Sequence, residues 1–381
     1  MIPDLQKRSR IIKKTFGLLI CLCLLVTASL AQQLIGAKSS GMGGAGVASS
    51  TGLTAVYYNP AGLLSGSSTG LRLSLAPSYS DYQKVADAFS RATDISTFLT
   101  DNFSSELAAK GNLNALFGLK YNKIGLSVMA LPLGNYAADT LASDQTIFIE
   151  KGAFALQAKA AYSIRYDYVL TLGRTFSLPI LPANVDAGVN LKSINALYGT
   201  FAPAALATSA PYTTGTGNGT AFDLGLRTNL EVPILGSAAV GVTMRDLAGQ
   251  INYTRKQKTY YLNNLTGTVT TSADSDLVDK AVTLDSVTVI GITGQLGTIN
   301  LGLAADLELD KAGTITHLGL EYPLLSGLIL ARAGVISGPT TSKTTYGAKF
   351  NLPIFSLGAA GIIDNNDKSA TAWTFDIGLG D

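Results

Sequence analysis

Few residues have the type and spacing to do chemistry. GMGGAG at positions 41–46 matches the G-x-G-x-x-G phosphate fingerprint letter for letter. That pattern holds a dinucleotide only where a strand leads into it and a helix opens from it, because the pyrophosphate sits on the helix's N-terminal amides. Upstream, LIGAKSSG is short and broken by Gly, Lys and Ser; downstream, VASSTGLTAVYYNPAGL meets a glycine and then a proline before a helical turn can repeat. His317 is the sole histidine, and Glu321 shares its face of one strand, roughly 13 Å along. The separation rules out a direct acid/base pair: a barrel hydrolase would need a serine from another strand, and the simpler role for His317 is in a polar network. Asp306, Glu308 and Asp310 form the tightest acidic cluster, too poor in His and Cys for a metal site. The residue types therefore point to no catalytic group, metal or cofactor.

Stepping outward from those residues, positions 1–31 read as an export signal. Lys7, Arg8, Arg10, Lys13 and Lys14 precede the apolar run FGLLICLCLLV and the small-x-small site Ser29-Leu30-Ala31. The run is short of the roughly 20 residues a spanning helix needs. Both cysteines, Cys21 and Cys23, lie inside this segment, so the exported chain carries no disulfide. Cleavage removes five basic residues and one acidic one, leaving 23 against 25. The basic footprint of a nucleic-acid binder goes with it.

Only 14% of residues are charged, 47% are hydrophobic and 40 are glycine. No stretch after the signal is long and apolar enough for a membrane helix. An exported, charge-poor chain without spanning helices fits the other structure that satisfies every backbone group in lipid, a transmembrane antiparallel β-barrel.

Period-two alternation supports this all-β reading. Phe222, Leu224, Leu226, Thr228 and Leu230 share one face against Asp223, Arg227 and Glu231; Leu301, Leu303, Ala305 and Leu307 oppose Asp306 and Glu308; Trp373, Phe375, Ile377 and Leu379 oppose Asp376. From Phe154 to Leu172 the apolar parity never switches, so RYD at 165–167 belongs to one long strand. Charges confined to one face mark it as the lumen, because Arg or Lys facing lipid near mid-membrane costs about 2–4 kcal/mol. A soluble β-sandwich would also alternate, but with a more highly charged polar face. Fourteen such segments lie between 69 and 380, and the mixed signs on their lumen faces suit cross-strand ion pairs better than a charge-selective porin.

"LPIL" at 178–181, "VPIL" at 232–235, "YPLL" at 322–325 and "LPIF" at 352–355 fall at turns on one side of the count, with the tight Asn122-Lys123 turn. That side is taken as periplasmic; long external loops are expected at 80–111, 134–151, 200–219 and 247–281. In a helical external loop at about 82–110, Phe89, Leu99 and Phe103 recur at helical spacing, either as a cap on the rim or as a landing surface for an apolar ligand.

GMGGAGVA at 41–48, AVYYNPAGL at 55–63 and Asn59-Pro60-Ala61 before the first strand resemble the opening of the FadL/TodX-type outer-membrane transporters of hydrophobic compounds, whose relatives include TraF-like and PorV-like exported barrels. The resemblance implies that residues 32–68 fold as a hatch inside a barrel formed by residues 69–381. Gly41, Gly43, Gly44, Gly46, Asn59, Pro60 and Ala61 are the hatch motif. Glycine suits close backbone approach, and Asn-Pro suits a locally bonded turn; a plain periplasmic plug or tail is the other reading. The chain ends in Asp381, where many such barrels end in an aromatic residue read by the barrel assembly machinery. The expected function is passive uptake, across the bacterial outer membrane, of small hydrophobic molecules such as long-chain fatty acids. The expected partners are outer-membrane lipid and the apolar ligand. The alternative is a non-transporting barrel that serves as a platform for an exported protein partner.

Overall fold

The computed structural model describes residues 34–80, 110–131, 160–177, 183–201, 209–232, 236–262, 269–297, 299–311, 313–366 and 371–380. The export signal, the helical loop with Phe89, Leu99 and Phe103, and Asp381 lie outside them.

The strands are β1 (Thr69–Ser80), β2 (Lys110–Tyr121), β3 (Ile124–Leu131), β4 (Ala160–Ser177), β5 (Asn184–Phe201), β6 (Ser209–Val232), β7 (Gly236–Leu262), β8 (Val269–Thr271), β9 (Ser275–Thr283), β10 (Val287–Leu296), β11 (Leu301–Asp310), β12 (Gly313–Leu324), β13 (Ile329–Ser337), β14 (Ser342–Asn351), β15 (Phe355–Asp364) and β16 (Thr371–Leu379). β1–β7 and β10–β16 pair antiparallel with their neighbours, β7 bonds β10, and β16 bonds β1, closing a barrel of fourteen strands. Closure leaves no barrel edge with unpaired backbone, which lipid demands. β8 and β9 pair with the outer half of β7, beyond the β10 contact.

Parity decides what each strand faces. Phe222, Leu224 and Leu226 are 36%, 44% and 48% exposed on the outside, while Asp223 between them is 1% exposed inside. Arg165 to Asp167 runs through β4 without a turn, as the alternation requires. At Asn122-Lys123 the chain reverses between β2 and β3, with Asn122 at φ 53°.

Two expected loops are mostly strand. β6 starts at Ser209 rather than 220, and β7 continues to Leu262 with β9 beside it, so 209–219, 247–262 and 275–281 rise beyond the barrel as paired ribbon. Along 209–219 the alternation is hidden in the sequence because inward positions are glycines whose space is filled from neighbouring strands. A Cβ at Gly215 would sit 2.1 Å from the Tyr198 ring, and one at Gly217 2.7 Å from Tyr253. The rings cover the glycines, so β-structure persists without a side-chain pattern.

Residues 34–68 precede β1 and carry two short helices, α1 (Ala37–Gly41) and α2 (Ala55–Tyr58), with 3-10 turns at Gly52–Thr54 and Pro60–Leu64. Nearly every residue from 34 to 63 is buried, against inward-facing side chains of the wall. The core of this barrel is therefore its own N-terminal segment.

Candidate functional site

The glycines at 41–46 approach backbone. Gly43 has φ +68°, and a Cβ there would lie 2.5 Å from the carbonyl oxygens of both Leu318 and Val335. The wall reciprocates: a Cβ on Gly334 would lie 2.2 Å from the Gly43 nitrogen, and one on Gly319 2.5 Å from Met42. Glycine meets glycine across the contact, which lets a backbone lie flat on a sheet. The amides a phosphate would need are already engaged. Gly43 N–H donates to Thr345 Oγ1 at 2.9 Å, and the amides of Gly46 and Val47 both donate to Asp306 Oδ2, at 2.7 and 2.8 Å. A carboxylate occupies the position an anionic ligand would take, so the fingerprint here is a wall contact. Replacing Gly43 with Ala is expected to leave the barrel heat-modifiable on gels while exposing the segment to protease. The left-handed backbone alone would cost about 1–3 kcal/mol.

Asn59-Pro60-Ala61 forms the second fixture. Asn59, extended and fully buried, accepts the Ala61 amide on Oδ1 at 3.1 Å. Its Nδ2 donates to Val47 O and to Leu226 O on β6, each at 3.0 Å. Pro60, which has no amide to satisfy, opens the 3-10 turn and rests on Gly188 and Gly225. One side chain thus joins two parts of the segment to the wall.

The lumen charges do two jobs. Some brace the wall: Arg165 bonds Asp167 and Asp246 at 2.6 Å, Lys192 bonds Asp223 and Asp246 at 2.7 and 2.9 Å, and Arg332 bonds Glu321 at 2.7 Å. Asp246 was missed in the sequence because it sits at φ 54°, in an irregular stretch of β7 where parity fails. Other charges grip the segment. Asp376, paired with Arg72 at 3.0 Å, accepts the Ala37 amide at 2.6 Å; Arg227 Nε donates to Ala48 O at 3.1 Å and its Nη1 reaches Ser65 Oγ; Lys120 donates to Ser65 O at 3.1 Å. Asn190 donates to Val56 O and to Asp223, each at 2.7 Å, tying segment and brace together.

His317 is buried with Nδ1 2.7 Å from Gly43 O, so that nitrogen carries the proton and donates to the carbonyl. Nε2 lies 3.7 Å from Glu308, while Glu321 is held by Arg332, keeping His317 and Glu321 in separate contacts. Within the segment, burial pushes the Lys38 ammonium below the ordinary lysine range, with Glu321 opposing the shift. Its Nζ donates to Ser49 O at 3.0 Å. Burial likewise pushes the Tyr57 phenol up, and the Arg245 guanidinium lies 5.3 Å from its ring centroid.

One patch of wall, among inward polar and charged neighbours, is apolar on both faces. Ile35, Val56, Tyr57, Tyr58 and Leu63 pack on Leu116, Met129, Leu131 and Val169, which point inward from β2, β3 and β4. On the outer face of the same strands, Phe117, Leu119, Leu126, Val128 and Tyr168 line a depression of about 540 Å³. Farther along β5–β7, Ile194, Ala196, Tyr198, Ile251 and Tyr253 form another inward apolar cluster. Lys120, Arg165 and Asp167 are legible as lumen residues of these strands, whereas the apolar inward residues Leu116, Met129, Leu131 and Val169 are not, because charged positions define the lumen face. The signal that could have found them lies in ALFGL at 115–119 and LSVMAL at 126–131, apolar at both parities.

A scan against known protein families and a search of characterised proteins found no match. Solved structures do match. The toluene transporter TbuX of Ralstonia pickettii is 12% identical with a TM-score of 0.57, over 92% of this chain and 98% of that one. The monoaromatic hydrocarbon channel CymD is 12% identical with a TM-score of 0.58, over 91% and 96%. A deltaS2 mutant of the monoaromatic hydrocarbon channel TodX is 11% identical with a TM-score of 0.56, over 90% and 96%. At this identity the likeness is one of fold: the chain is built as the TodX-type hydrophobic-compound channels are, along nearly its whole length.

Proposed function

We propose that this protein is a passive outer-membrane channel for small hydrophobic molecules, with residues 32–68 as the hatch that closes it. The observation that carries the reading is the patch of β2–β4 at Leu116, Met129, Leu131 and Val169, apolar toward the hatch and backed on the lipid side by Phe117, Leu119, Leu126, Val128 and Tyr168. A solute that leaves water among the outer strands meets Ile194, Ile251 and Tyr253, then the hatch face at Tyr57 and Tyr58, then a wall whose two sides are both greasy. Each step exchanges one apolar contact for another, so the free energy of transfer falls once and no energy input is needed. The braced charges leave the lumen with few unpaired ions for water to follow, which suits an apolar cargo better than an ionic one. The fold relatives, a toluene transporter and two monoaromatic hydrocarbon channels, favour compact aromatics over long-chain fatty acids as the first compounds to try.

The test is uptake into lipid vesicles carrying the protein, with toluene and oleate as separate cargoes and glucose as a polar control. Faster entry of either apolar cargo than in empty vesicles is the expected result; entry no faster than through lipid alone sinks the reading. A non-transporting platform would instead show itself by an exported protein that co-purifies stoichiometrically.

A further inference from the structure

The proline-bearing turns leave an unexplained feature on the short-turn rim. Between β12 and β13 the chain runs Leu324-Leu325-Ser326-Gly327-Leu328, and Leu325 is 71% exposed at the tip; between β14 and β15, Ile354 is 78% exposed. In water such tips favour Asn, Asp or Gly, because the turn needs left-handed backbone and presents its side chains to solvent. Here Leu325, with φ 48°, occupies the left-handed position itself. The bulky side chain is thus unfavourable both for the backbone and for an aqueous tip.

The apolar stripe on the outside of β12 runs through Leu318, Leu320, Tyr322 and Leu324 and reaches Leu325 without a polar break. Leu318 to Leu325 spans only about 18 Å of height at a strand tilt of about 40°, whereas the apolar band of such barrels is about 25 Å tall. On β14, Tyr346 to Ile354 gives about 21 Å by the same reckoning. Tyr346 packs edge-on against Trp373 at 6.0 Å, an aromatic pair suited to the opposite interface. With aromatics fixing that end, neither stripe exceeds the height of the band even with its turn included, so both turns fall within it.

Several of the turns' polar groups are bonded within or between the turns. Leu328 N–H donates to Leu325 O at 3.2 Å; Asn351 donates its amide to Leu328 O at 2.9 Å and its Nδ2 to Gly327 O at 3.0 Å; Leu352 N–H donates to Phe355 O at 2.9 Å. Pro353 has no amide to leave unpaired. Internal satisfaction of these groups is a requirement in hydrocarbon and a matter of indifference in water.

We infer that the β12–β13 and β14–β15 turns are immersed in lipid, with Leu325 and Ile354 among acyl chains, so that this part of the rim ends inside the bilayer. Elsewhere on the same rim the Asn122-Lys123 tip is polar and reaches water. The barrel therefore sits at unequal depth around its circumference, and the sequence repeats the apolar turn pattern at 178–181 and 232–235.

The inference rests on the membrane-channel reading, and its test separates the two. Residues 24–381 contain no cysteine, so single nitroxide labels can be placed at Leu325→Cys, Ile354→Cys, Leu320→Cys on the lipid wall and Lys123→Cys at the polar tip. In vesicles of phosphatidylethanolamine and phosphatidylglycerol, collision with oxygen is compared with collision with a water-soluble nickel chelate. Labels at 325 and 354 are expected to behave as at 320, with nickel access several-fold below that at 123. Nickel access at both tips equal to that at 123, while 320 stays protected, overturns the inference alone. Free nickel access at 320 as well overturns it together with the membrane reading.

Discussion

Excision of residues 34–62 is expected to turn a closed barrel into a steadily conducting pore in planar bilayers. The wall does not depend on the segment for closure: its ring of backbone pairing runs unbroken through β16–β1 and β7–β10. The excised residues are what the lumen contains, since most are buried and their contacts run to inward positions of β2–β6 and β10–β16. Those inward positions are unusually bare. Gly188, Gly225, Gly291, Gly319, Gly334 and Gly347 all face the segment where other residues would project side chains, so removing it leaves a track with little to refill it. A collapse of the wall inward would have to break strand pairing, whereas water entry would hydrate Asp306, Asp376 and Arg227 at once. The full-length chain should show low baseline current, and the excised variant an ohmic current that scales with salt. Equal conductance from the two, with the variant still heat-modifiable on gels, would mean that the hatch is not the barrier.

Much of the barrel was legible because lipid and lumen impose opposite demands on neighbouring residues. Where both are present, as in Leu226 beside Arg227 or Phe375 beside Asp376, two or three residues of alternation place a strand and assign its faces. The rule loses its grip where one side needs no side chain or both sides are apolar. At Gly215 and Gly217 the inward face is supplied by Tyr198 and Tyr253 from neighbouring strands, so the first part of β6, 209–219, has the pattern of a loop while 220–232 has that of a strand. At Leu116 and Met129 the lumen face is apolar because the hatch, rather than water, lies against it, and a reading that equated lumen with charge passed over the sector. The hatch motif was recognisable, but its partners were not: that Asp306 and Asp376 hold backbone amides depends on contacts between residues 260 and 339 positions apart. Local spacing carries no trace of such pairing. Asp246 illustrates the same limit at close range, since two left-handed residues at 246 and 248 break the count that would have placed it in the lumen.

Replacing Asn59 should do more damage than any other single change in the hatch, and Asp should be worse than Ala at neutral pH. In the native chain its amide meets three backbone groups from three places: the Ala61 amide, Val47 O and Leu226 O. Asn59→Ala leaves all three without this partner, at about 1–3 kcal/mol each, so the docked hatch loses roughly 3–9 kcal/mol. Asn59→Asp has nearly the same shape and retains the acceptor for Ala61, yet it sets a carboxylate against two carbonyl oxygens and removes both donors. The ionised form is repelled by those oxygens as well as desolvated, which raises the carboxyl's folded-state pKa above the roughly 3.9 of an unfolded aspartate. A raised folded-state pKa fixes the sign. The variant is least harmed below the unfolded value, where the protonated carboxyl donates to one carbonyl, and it weakens as pH climbs through the folded value. Open probability in planar bilayers should therefore rank Asp above Ala above native at pH 8. On going to pH 4 the Asp variant alone should close again, since neither native Asn nor Ala can titrate at this position. An Asp variant that conducts no more than native at pH 8, or one whose opening grows on acidification, would show that Asn59 does not hold the hatch through donated hydrogen bonds.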